Sequence, residues 1–145
     1  MMPYMRKRRS GHILNITSMG GIITMPGIAF YHGSKFALEG ISESLSEEAR
    51  SFGIRVTAVE PGSFRIDRAG RSMVRAERSI AERNGNQPGD PKKAATAMLK
   101  LIASDNSPAH LLLGSDAISL VRGKLGALKT EFDTWEQVSS STDFE

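Results

Sequence analysis

The chain has 145 residues, 39% hydrophobic and 24% charged, the composition of a globular domain. Its 19 Lys+Arg against 16 Asp+Glu leave a net charge of +3, too small an excess to argue for a nucleic-acid partner. Cysteine is absent, which excludes disulfides, thiolate nucleophiles and cysteine-ligated zinc or iron–sulfur centres.

Residues 1–11 read as the end of a basic helix stopping at Gly11. The next residues, 12–18 (HILNITS), are short, apolar and β-prone, and lead to Gly20-Gly21: a buried strand ending in a turn. Asn15, Thr17, Ser18, Gly20 and Gly21 interrupt any apolar core after the basic start, so no signal peptide is expected. No apolar run of about 18 residues occurs, so no transmembrane helix and no membrane partner are expected.

Residues 22–27 contain Pro26-Gly27 and read as loop. Residues 29–52 predict a helix with Leu38, Ile41, Leu45, Ala49 and Phe52 on one apolar face. Ser42, Glu43, Ser46 and Glu47 fall off that face, and Gly53 suits the stop. Residues 54–59 form a second strand, closed by Pro61-Gly62.

Residues 63–90 change character, carrying Arg65, Arg68, Arg71, Arg75, Arg78 and Arg83 among few large apolar residues. The basic stripe is interleaved with Asp67, Glu77 and Glu82 and reads as a solvated face. Asp90-Pro91 starts a helix to about Ser104, with Ala95, Met98, Leu99 and Ile102 apolar. His110 to Leu113 is a third strand. Ser115 or Asp116 caps a last helix, on which Ile118, Val121, Leu125, Leu128, Phe132 and Trp135 recur at spacings of three and four. Phe132 and Trp135 are assigned to core packing, and residues 139–145 to a flexible tail.

This order predicts an α/β fold: a partial Rossmann-like, doubly wound parallel sheet of about three strands with flanking helices. One central-type strand is left at an edge.

Tyr31 and Lys35 are four apart on the first long helix and share a face. Ser18 ends the preceding strand, where open α/β sheets bind ligands. An ammonium beside a phenol favours the phenolate, and a nearby hydroxyl can hold a substrate oxygen. The trio suits proton transfer in carbonyl/alcohol chemistry. On spacing alone, an ordinary surface pair and a turn serine fit as well. His32 points about 100° from Tyr31 on a helix and is read as outside the substrate site. His12 and His110 are read as structural. The three histidines are well separated and form no HExxH pair, so no metal is expected.

Three segments, NITSMGG (15–21), YHGSKFALEG (31–40) and IRVTAVEPG (54–62), closely resemble the short-chain dehydrogenase/reductase family in order and spacing. The thirteen-residue step from Ser18 to Tyr31, the YxxxK and the strand ending in Pro-Gly all match. Beyond residue 70 the resemblance rests on layout alone. It implies an NAD(P)-dependent oxidoreductase acting on a small-molecule carbonyl/alcohol substrate. Tyr31 would be the general acid/base. Lys35 would favour its ionisation and bond the nicotinamide ribose. Ser18 would polarise the substrate oxygen. Pro61, Gly62 and Ser63 would border the nicotinamide of NAD or NADP. Residues 63–90 would be a substrate-lid-like segment, and the last strand and helix would serve a homo-oligomer. A cytoplasmic location goes with this reading.

Two departures stand out. Ile66 stands where the family often has threonine. No GxGxxG occurs, and none of the family's N-terminal features lies upstream of Ser18. Residues 1–138 are therefore expected to be the C-terminal half of the domain. Asn15 precedes Ser18 on the same strand and does not take the family's asparagine role. The alternative is a catalytically inactive fragment that acts as an associating α/β module.

Overall fold

The computed structural model describes residues 1–65 and 87–144. Ile66, the arginine stripe and most of the lid-like segment lie outside the described residues. In chain order the elements are α1 (Met2–Arg8), β1 (Gly11–Ile16), a 3₁₀ turn (Met19–Gly21), α2 (Ala29–Arg50), β2 (Ile54–Pro61), α3 (Pro91–Ala103), β3 (His110–Leu113) and α4 (Ser115–Ser140). The sheet order is β1-β2-β3, with both pairings parallel, as the alternation of strands and helices predicts.

The two faces of the sheet follow the period of two along each strand. Ile13, Ile54 and Val56 pack against Met2 and Met5 of α1 and Leu45 and Ala49 of α2. On the other face Leu14, Val59, Leu111 and Leu113 meet Ala94, Ala97, Met98 and Leu101 of α3. A third cluster, Met19, Ile23, Ala117 and Val121, joins the 3₁₀ turn to α4. β2 is central and buried from Val56 to Glu60. β1 is only half-buried and pairs on one side among the described residues, the edge expected for a central-type strand.

Helix boundaries and faces depart from the sequence reading on all four helices. α1 ends at Arg8, and Arg9 (φ 50°), not Gly11, makes the left-handed turn. Its Nη2 donates to the Ser51 carbonyl at 2.7 Å, which helps offset the strain. On α2 the buried residues are His32, Glu39, Ser42 and Ala49, whereas Ile41 is exposed. The N-terminal part of the inner face is polar because it covers polar groups at the ends of β1 and β2, whereas Leu45 and Ala49 further on cover an apolar layer. On α3 the inner stripe is Ala94, Ala97, Met98 and Leu101, so Leu99 and Ile102 face outward. Phe132 and Trp135 are 67% and 60% exposed rather than core. α4 has 26 residues, about 39 Å at the helical rise, and outruns the four-residue β3 it packs on. It also continues to Ser140, into the expected tail. The Asp90 cap stands: its Oδ1 accepts the Lys92 N–H at 2.8 Å, with Pro91 opening the helix.

Candidate active site

The site begins where β1 ends. Thr17 donates both its N–H (2.8 Å) and its hydroxyl (2.9 Å) to the Val59 carbonyl, which pins the chain to β2 one residue before Ser18. Ser18 then caps the 3₁₀ turn, its Oγ accepting the Gly20 N–H at 3.0 Å. The Ser18 hydroxyl proton has no acceptor among the described residues and is free to donate.

Gly20 lets α2 descend onto this turn. A Cβ there would lie 3.0 Å from Tyr31 Cε1 and 3.2 Å from His32 Nδ1. Tyr31, in the first turn of α2, is half-buried, and its phenol oxygen makes no hydrogen bond among the described residues. Lys35 lies one turn on. Its Nζ donates to the Ile16 carbonyl at 3.2 Å and sits 5.9 Å from the Tyr31 ring centroid. Two of the three ammonium protons remain available. Ser18, Tyr31 and Lys35 therefore gather around the end of β1, each with an unspent donor.

His32 is the residue the sequence reading undervalued. It is 4% exposed and meets the Tyr31 ring edge-on, centroids 5.8 Å apart. Its Nε2 accepts the Met25 N–H at 2.8 Å, so Nδ1 carries the proton and donates it to the Gly20 carbonyl at 2.7 Å. Both nitrogens are spent on backbone, and the ring ties the loop after Ser18 to the start of α2. Asn15 helps from below: its Nδ2 donates to Ser42 Oγ at 2.9 Å, and Ser42 donates to the Leu38 carbonyl.

The second strand end supplies the other wall. Pro61 pairs with Leu113, and the Gly62 N–H donates to the Leu113 carbonyl at 2.8 Å. The Ser63 N–H is committed to Asp116 Oδ2 at 2.8 Å, and the Ser63 carbonyl accepts from Gly89. Asp116 thus holds the Pro-Gly turn rather than capping α4, whose N-cap is Gly114.

Two side chains carry perturbed acidity. Burial and the Arg55 guanidinium push His12 below its ordinary value. The Thr57 hydroxyl is donated to the Pro108 carbonyl, so Thr57 Oγ1 accepts from His12 Nε2 at 2.9 Å, leaving His12 Nδ1 buried without a partner. Burial raises Glu60 above the usual carboxylate range, and Glu39 adds to the rise while His110 opposes it. Among the described residues, no helix is long and apolar enough to cross a membrane.

A strand-end serine, a YxxxK on the following helix and a Pro-Gly turn on the next parallel strand thus lie at the same end of the sheet. The family model described as short chain dehydrogenase matches residues 1–75, and the chain belongs to that family. It is 34% identical over 153 residues to oxidoreductase BOA17 of Botryotinia fuckeliana, covering 96% of this chain and 56% of that protein. A short-chain dehydrogenase from Streptomyces avermitilis superposes with a TM-score of 0.87 at 38% identity, covering 99% of this chain and 56% of that one. A 4-hydroxyisoleucine dehydrogenase solved with NADH matches with a TM-score of 0.53 at 27% identity, over 70% of this chain and 44% of that one. The chain spans about half the length of the curated relatives it matches.

Proposed function

We propose that Ser18, Tyr31 and Lys35 form the proton-transfer site of an NAD(P)-dependent oxidoreductase acting on a small carbonyl/alcohol pair. The observation that carries this reading is the convergence of three unspent donors at the end of β1, held there by the close approach of Gly20 to Tyr31. Tyr31 gives a proton to the substrate oxygen in reduction and takes it back in oxidation. The Lys35 ammonium offsets charge developing on the phenol oxygen. Ser18, its lone pair held by Gly20, donates to the same substrate oxygen.

The spare ammonium protons of Lys35 fit a ribose hydroxyl, and the Pro61-Gly62-Ser63 turn borders the nicotinamide. With its N–H taken by Asp116, Ser63 has its hydroxyl rather than its backbone donor left to offer that ring. When bound, the dinucleotide supplies or accepts the hydride. The neighbour solved with NADH supports this assignment; NAD and NADP stand equal. Residues 63–90 serve as the substrate lid, and the protein works as a cytoplasmic homo-oligomer.

The test is to titrate NADH and NADPH into the 145-residue chain and follow nicotinamide fluorescence. Binding of at least one, weakened by Lys35→Ala, is expected. Binding of neither overturns the enzyme reading for this chain. A second reading, an inactive associating module, is favoured by the large apolar side chains left outside: Phe30 (98% exposed), Phe132 and Trp135. It predicts self-association without dinucleotide binding.

A further inference from the structure

One turn beyond Lys35, α2 carries Glu39, which is 5% exposed and has no hydrogen-bond partner on either carboxylate oxygen. It lies against Gly21, where a Cβ would fall 2.8 Å from Glu39 Cγ. Glu60 on β2 is fully buried. Its Oε1 lies 2.7 Å from His110 Nδ1, and its Oε2 has no partner. His110 Nδ1 is 3.7 Å from Glu39 Oε2, and His110 Nε2 is 3.6 Å from Oε1 of the exposed Glu43. One oxygen from each of Glu39 and Glu60 and one nitrogen of His110 lie within 4.8 Å of one another.

Two carboxylates removed from water, with three oxygens unpartnered between them, are costly unless something of opposite charge joins them. One imidazole cannot neutralise both, and no Lys or Arg pairs with either among the described residues. We propose that Glu39, Glu60 and His110 Nδ1 bind one zinc ion, with water in the fourth position and Glu43 on the outer side of the imidazole beside Nε2. Two carboxylates and Zn²⁺ make a neutral unit, and an imidazole with two carboxylates is a donor set zinc accepts. Bonds of about 2.0–2.2 Å would set the donors about 3.4 Å apart, a small contraction for Glu39 and a small expansion between Glu60 and His110. The His110 side chain is 41% exposed and opens the way in.

The ion would join α2, β2 and β3 beneath the turns that carry Tyr31, Lys35 and Pro61. Its donors are not among the residues assigned to the dinucleotide, so zinc uptake is read without one.

The 145-residue chain is stripped with a chelator and titrated with zinc chloride by calorimetry, with elemental analysis after gel filtration. One zinc per chain is expected, with affinity at least about tenfold lower in Glu39→Gln and in His110→Gln and unchanged in His12→Gln. Cobalt on the wild-type chain requires no folded variant: visible ligand-field bands, bleached by zinc, are expected. No stoichiometric zinc on the wild-type chain, no cobalt bands, or undiminished uptake by both ligand variants overturns the site, and a proton shared by Glu39 and Glu60 then neutralises the pair.

Discussion

Asp116 in the first turn of α4 accepts the Ser63 backbone N–H through Oδ2 at 2.8 Å, across 53 residues of chain. The bond makes the Pro-Gly turn answer to the last helix. Replacing Asp116 by Ala leaves the half-buried Ser63 donor unmatched and is expected to cost about 1–3 kcal/mol in urea unfolding. Asp116→Asn keeps an acceptor and should lose less. An Ala variant as stable as the parent would show that the turn is held by other means.

Tyr31→Phe removes the phenol proton and little else, because the hydroxyl makes no hydrogen bond within the described chain. In an active preparation of the protein, turnover should fall by about 100-fold or more while nicotinamide binding persists. Steady-state rates and fluorescence titration separate the two effects. A Phe variant that turns over normally would remove Tyr31 from the chemistry.

His32→Ala deletes both bonds of the strut between Met25 and Gly20. A loss of about 1–3 kcal/mol is expected. The sharper measurement is amide exchange at Met25, whose N–H has lost its acceptor. Exchange there should accelerate at least tenfold while β2 amides move only with global stability.

His12 gives a pH signature. Its native pKa lies below the ordinary value of about 6.5 because of burial, with Arg55 adding to the effect. Above about 6.5 native and unfolded chains both hold a neutral imidazole, and its contribution is constant. As the pH falls below 6.5 the unfolded chain binds the proton first, so stability declines until the native pKa is passed. Denaturation midpoints between pH 7 and 5 should show this decline, and His12→Gln should flatten it.

Local pattern placed Ser18, Tyr31, Lys35 and the Pro61-Gly62 turn on their strand ends and helix, while their grouping as one site came from the family resemblance and not from spacing. The parallel pairing and the Asp90 cap were legible from the alternation of elements and the Asp-Pro pair. The inner face of α2 was not. Periodicity places Ile41 inside, but α2 lies over Asn15 and Glu60, and His32, Glu39 and Ser42 turn inward to meet polar groups. α3 slips by one position, since the stripe of Ala94, Ala97 and Leu101 is smaller in side chain than the outward Leu99 and Ile102. Partnerships across long separations, such as Asp116 with Ser63 and His110 with Glu60, leave no trace in local pattern.

Phe64 and Gly89 form a parallel bridge, with Arg65 N–H donating to the Gly89 carbonyl and Gly89 N–H to Ser63. The bridge turns two distant points of the chain into a fixed socket. The chain leaves the Pro-Gly turn and returns to α3 through this one bridge, so the end of β2 and the start of α3 are tied to each other directly. A second bond, from Arg65 Nε to the Gln87 carbonyl at 3.2 Å, closes the socket one step further out.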